Sequence, residues 1–159
     1  MRYTWILALV GTAALMNAQT EVQYVTAKDI VAMMAKAKAD RKPDQGNFIQ
    51  VIGKSGPFVA NLESRTNAID TPPNLHEQDA EFIYVIEGAG LFTTGGHLKD
   101  EKRGKGANRT GTSVEGGTAR RIAKGDFIMV PPGVPHSFTK TEGKLEIMSI
   151  HMTHPPGTK

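Results

Sequence analysis

The sequence predicts an all-β sandwich or barrel preceded by a single helix, and three observations carry that prediction. From Asn47 onward the apolar residues alternate with a period of two, giving short runs at Phe48–Ile52, Phe58–Leu62, Phe82–Ile86, Gly90–Thr93, Phe127–Val130 and Leu145–Met152. Glycine and proline punctuate these runs, at Gly53, Gly56-Pro57, Gly88, Gly95-Gly96, Gly125, Pro131-Pro132-Gly133 and Gly143. Many short strands with close turns are the pattern of a sandwich or closed barrel. Thirdly, helical spacing shows only near the start, from Thr26 to Ala39.

Taken in order, residues 1–18 read as a secretory signal peptide. Arg2 is a short positive segment, an apolar run starts at Trp5, and the small residues Ala14 and Ala18 precede the expected cut. The alternative, a membrane anchor, is disfavoured because the apolar stretch is shorter than the ~20 residues that span a bilayer. Residues 19–45 form an N-terminal helical segment. Thr26 and Asp29 make a capping box, Ile30, Met33, Met34 and Ala37 share one face, and Pro43 stops the helix. Residues 46–159 then form one β domain with no internal repeat.

Within that domain, residues 97–117 are charged and rich in glycine, and are expected to form a long exposed loop, a candidate lid bracketed by Gly95-Gly96 and Gly116-Gly117. Asn108-Arg109-Thr110 has the pattern of a glycosylation acceptor.

Composition narrows the function classes. The 159 residues carry 19 basic and 16 acidic side chains, a formal charge of +3, with no concentrated basic stripe. Nucleic-acid binding is therefore not expected, nor membrane association once the signal is removed. With no cysteine, disulfide scaffolds, thiolate metal sites and cysteine nucleophiles are excluded. Export implies a secreted or periplasmic protein whose core alone stabilises it.

The candidate chemistry lies in two distant segments. Gly125 to His136 reads as a turn glycine, an apolar strand, a rigid Pro131-Pro132-Gly133 turn and a histidine at the next strand's start. A histidine on so stiff a mount is held in one direction, as a metal ligand must be. In the other segment, Asn74 and His76 are two apart and face one way if extended, while Glu81 needs a bulge or turn at Gln78–Ala80 to join them.

These segments resemble the cupin superfamily. Gly125, Pro131, Gly133 and His136 match its second motif, G(X)5PXGXXH, although Lys140 stands where the family has asparagine. The first motif, G(X)5HXH(X)3-4E(X)6G, is matched by His76, Glu81 and Gly88, with Asn74 in place of the first histidine and Ala68 in place of the leading glycine. The resemblance implies a double-stranded β-helix, or jelly-roll, barrel with a divalent metal held inside by His76, Glu81 and His136. At the first-histidine position the resemblance implies that Asn74 is either a weak fourth ligand through its carbonyl or only a hydrogen-bonding residue. Two histidines and a carboxylate with open positions suit Fe, Mn, Ni or Zn.

Glu81 is also a candidate catalytic base, on the expectation that burial raises its pKa. His151 is assigned outside the ligand set, His97 and His154 to loop and tail, and Tyr84 and Phe138 to barrel packing. The implied function is a dioxygenase, isomerase or lyase acting on a small polar molecule; the alternative is a non-catalytic barrel that binds a sugar-like ligand. The resemblance further implies a homodimer.

Overall fold

The computed structural model describes residues 22–66 and 71–153. The signal peptide read from the sequence, Ala68 and His154 lie outside those residues. Helix α1 spans Ala27–Asp40, with Thr26 as N-cap and the capping box formed: Asp29 N–H donates to the Thr26 hydroxyl, and Thr26 N–H to the Asp29 carboxylate. Ala37 is buried and Ile30, Met33 and Met34 are half-buried, the face expected from their spacing. Just past the helix, Arg41 hydrogen-bonds the Ser64 carbonyl at 2.6 Å and so pins α1 to the barrel.

Eleven strands follow among the described residues: β1 (Asn47–Ser55), β2 (Phe58–Thr66), β3 (Asn74–His76), β4 (Asp79–Thr94), β5 (His97–Lys99), β6 (Lys102–Arg103), β7 (Asn108–Thr110), β8 (Ser113–Glu115), β9 (Thr118–Ala123), β10 (Phe127–Val130) and β11 (His136–Thr153). The runs Phe82–Ile86 and Gly90–Thr93 are one long strand, β4. Its first half pairs with β10 and its second with β9. β11 is longer still, pairing with β4 along most of its length, with β2 near its end and with β3 at His136. These two strands thus belong to both leaves of the barrel: β1-β2-β11-β4-β10 on one side, and β9-β4-β11-β3-β7-β6 on the other. Between the leaves lie Ile83, Val85, Phe92, Ile122, Val130, Leu145 and Ile147. Their burial, worth roughly 1.5–3 kcal/mol per large side chain, holds the leaves together without disulfides.

Gly88 marks where β4 passes from one leaf to the other. It has φ +86°, and a Cβ there would stand 2.0 Å from the Lys144 carbonyl oxygen. The ladder slips by one residue beside it: Leu145 faces Gly88 and Glu146 faces Glu87, but Ile147 faces Val85, so Ile86 is a bulge. That bulge puts Glu81, Ile83 and Val85 on the same inner face as His151, Ser149 and Ile147.

Residues 97–117, expected to be a long loop, are instead built from the short strands β5 to β8. β5 pairs with β8 as a separate ribbon, and β7 pairs with β6 and β3. Charge and glycine hid these strands because such short ribbons take their partners from distant residues, not from their own apolar pattern.

Candidate metal centre

Four side chains converge between the leaves. Glu81 and His151 face each other across β4 and β11 in the first leaf. His76, from β3, and His136, at the start of β11, come from the second, in strands next to one another. A bend at Glu77–Gln78 separates β3 from β4 and turns Glu81 toward His76, as the odd spacing required. Pro131-Pro132-Gly133 delivers His136 with Gly133 at φ +76°, a backbone state that favours glycine. The Gly133 N–H also donates to the His76 carbonyl at 2.8 Å, tying the turn to β3.

Glu81 is the centre of the group, 4% exposed. Its Oε2 lies 3.0 Å from His136 Nε2 and 3.5 Å from His76 Nε2, while Oε1 lies 3.8 Å from His151 Nε2. His76, Glu81 and His151 bring one ligand atom each within 4.8 Å of one another. The far nitrogens of two rings are already engaged. His136 Nδ1 lies 3.0 Å from the Val134 carbonyl, and His76 Nδ1 lies 2.8 Å from Asn108 Oδ1. A carbonyl only accepts, so His136 Nδ1 carries a hydrogen and, in the neutral ring, the Nε2 lone pair points at Glu81.

Two acceptors so placed repel unless a cation, proton or metal, lies between them. Among the described residues Glu81 Oε2 is buried with no hydrogen-bond partner, the orphaned oxygen expected of a ligand. Three imidazoles and one carboxylate, with the far nitrogens of His76 and His136 set against oxygen atoms, fit a divalent transition metal.

The Glu81 carboxyl does not have the raised pKa expected from burial. Burial does push it up, but the imidazoles of His136 and His76, with the charge of His151, outweigh that and hold it well below the usual carboxylate range. This keeps the group ionised, a good ligand and a poor proton acceptor. The His76 imidazole is lowered by burial but raised more by Glu81 and Asn108, and ends above its ordinary value.

Asn74 is in register with His136 but exposed, and no hydrogen bond or ion pair ties its side chain to the described residues. His151, assigned outside the ligand set, instead stands against Glu81, with its ring 4.9 Å from that of His76. The period-two pattern of the last strand held the signal, since it puts His151 on the same face as Leu145 and Ile147. Two further interior residues gave no motif. Glu63 accepts from Arg65 at 2.7 Å, and Arg65 stacks over the Phe138 ring with its Cζ 4.0 Å from the centroid. Tyr84 faces outward, 40% exposed, instead of packing in the barrel. His97 is exposed and pairs with Glu115, away from the centre.

The family described as Cupin matches residues 49–158. No curated protein matches the chain. Among solved structures, the Schizosaccharomyces pombe Cnp3 cupin domain aligns with a TM-score of 0.51 at 16% identity, over 72% of this chain and 66% of that one. Fe(II) HppE aligns with a TM-score of 0.50 at 15% identity, over 68% of this chain and 52% of that one. Recombinant oxalate oxidase in complex with glycolate gives 0.50 at 16% identity, over 74% and 57%. This chain therefore matches between half and two thirds of the length of each. At such identities the likeness concerns the fold. The family match, running through both motif segments and nearly the whole β domain, gives the conclusion: the chain belongs to the cupin family.

Proposed function

We propose that this cupin is an exported protein that holds one divalent metal ion on His76, Glu81, His136 and His151, and uses it on a small polar molecule in a dioxygenase, isomerase or lyase type of reaction. The observation that carries the reading is the buried Glu81 Oε2, which has no hydrogen-bond partner of good geometry among the described residues and is faced by the Nε2 atoms of His76 and His136. A bound ion there supplies Lewis-acid polarisation of a substrate oxygen. The chain's own contribution is to fix the imidazoles, keep Glu81 ionised and shape the surroundings.

Access for a small molecule has two supports. Ile49 and Val51 are in register with Glu63 and Asn61 on the inner face, yet 55% and 56% exposed, so the barrel interior is open along β1. On the opposite side, a cavity of about 560 Å³ is lined by Phe92, Thr94, Arg120, Val130 and Val134. Val130 is in register with Glu81, and the Phe92 ring is 6.0 Å from that of His136, so this cavity shares a wall with the centre. Secretion or a periplasmic location rests on the signal-like first 18 residues. A homodimer is the expected assembly.

Metal analysis of the purified chain, before and after incubation with Fe, Mn, Ni or Zn, tests the reading. One ion per chain, lost in His136→Ala, is expected. No metal retained or regained by the wild type removes it, and unchanged metal in His136→Ala removes the ligand assignment. Turnover of small phenols, keto acids or sugars by the loaded protein then separates an enzyme from a binder.

A further inference from the structure

His136 and His76 are held differently. The partner of His136 is a backbone carbonyl, which only accepts, so that ring has one arrangement. The partner of His76 is the Asn108 side-chain amide, which offers an oxygen acceptor at one end and an N–H donor at the other. With the amide oxygen toward the ring, Nδ1 carries the hydrogen and Nε2 presents a lone pair toward Glu81, the form that binds metal. With the amide turned over, Nδ1 accepts, and Nε2 carries the hydrogen and donates it to Glu81, the form that satisfies the carboxylate without metal.

We infer that Asn108 is a positioning residue that sets which nitrogen of His76 carries the hydrogen, and that the β6–β7 ribbon is the clip that holds it there. The inference rests on the metal reading above and concerns the control of that site. Asn108 lies opposite His76 in the β3–β7 ladder. The clip is fastened on both sides of the ring. Glu77 N–H, next to His76, donates to the Ala107 carbonyl at 2.9 Å, and Gly104 N–H donates to the Asn108 carbonyl at 2.8 Å. The Glu77 carboxylate is held by Arg109 and, at 3.4 Å, by Arg103, while Arg109 also pairs with Glu101.

The same geometry gives the Asn108-Arg109-Thr110 pattern an internal use. The Asn108 amide is directed at His76, and the Thr110 hydroxyl donates to the Pro73 carbonyl at 2.8 Å. The Asn108 amide oxygen and the Thr110 hydroxyl are thus both engaged within the fold.

The test compares wild type, Asn108→Leu, Asn108→Ala and Asn108→Asp by Zn(II) competition against a chromogenic chelator, and by long-range ¹H–¹⁵N spectra that report each histidine tautomer. Asp retains only the acceptor, whereas Leu and Ala offer neither group. Leu and Ala are expected to weaken Zn(II) binding by about 10–100-fold, as the loss of a histidine's outer partner does, while Asp stays within about threefold of wild type. The Zn-loaded wild type should show His76 with its hydrogen on Nδ1, and the His136 tautomer should be the same in all variants. Ala serves if Leu does not fold. Wild-type Zn(II) affinity in both Leu and Ala, with an unchanged His76 signal, overturns the inference. If the wild type binds no metal, the proposed function falls, and the metal-free spectra still decide this point: a His76 tautomer unaffected by Ala overturns the role of Asn108.

Discussion

Replacing Glu63 by glutamine removes one buried charge with almost no change of shape. The Glu63 side chain is 4% exposed and that of Arg65 10%. Oε2 accepts from Arg65 at 2.7 Å and Asn47 at 2.8 Å, and Oε1 accepts from the Ser149 hydroxyl at 2.6 Å. A glutamine keeps its oxygen toward Arg65 and Asn47 and turns its amine toward Ser149, whose hydroxyl can accept instead of donating. The hydrogen bonds survive, so what is lost is the charge that compensates Arg65. Leaving a buried ion without its partner costs about 3–5 kcal/mol. At about 2–4 °C per kcal/mol for a chain of this size, the melting temperature should fall by about 6–20 °C. The assay is urea unfolding with calorimetry, alongside Glu63→Gln/Arg65→Met. The double variant should lose less than Glu63→Gln alone, because it no longer buries an unpaired cation. A single variant within about 1 kcal/mol of wild type would refute the reasoning, as would a double variant less stable than the single.

Two further outcomes are expected. Gly88→Ala combines a φ of +86° with a Cβ 2.0 Å from the Lys144 carbonyl oxygen, and should cost more than about 3 kcal/mol in urea unfolding; a near-wild-type midpoint would contradict the close approach of β4 and β11. The metal-free protein should be most stable between about pH 4.5 and 6.5. Glu81, depressed from 4.5, stabilises above that value and loses its contribution as pH falls through its lower folded pKa; His76, raised from 6.5, stabilises below that value and loses its contribution as pH rises through its higher folded pKa. Zn(II) needs neutral imidazoles, so it should move the optimum upward. Thermal melts with and without chelator read both, and metal-free stability that climbs steadily from pH 5 to 8 would count against the arrangement.

The barrel was legible because period-two runs and turn glycines are local signals, and the two motifs carried His76, Glu81 and His136 with their spacing. Other features depend on partners that the sequence does not mark. His151 reads as one more polar residue in an apolar strand until pairing sets it beside Glu81. Asn108 reads as a surface acceptor until β7 is laid against β3. Glu63 and Arg65, two apart on β2, look like solvated charges, and only the leaf opposite shows that both face inward. The raised Glu81 pKa was the natural inference from burial alone; three nearby imidazoles reverse its sign.

The bulge at Ile86 explains the motif distance between Glu81 and Gly88 as a matter of parity. Along an unbroken ladder from Gly88, an odd step to position 81 would set the carboxylate outside, together with Ile83 and Val85, and one skipped residue restores the even count. A chain shortened by Ile86 would keep the glutamate pointing at the histidines, whereas one lengthened there would need a second irregularity or lose its ligand to the outside. Drift in this stretch is therefore lopsided, with contraction survivable and growth not.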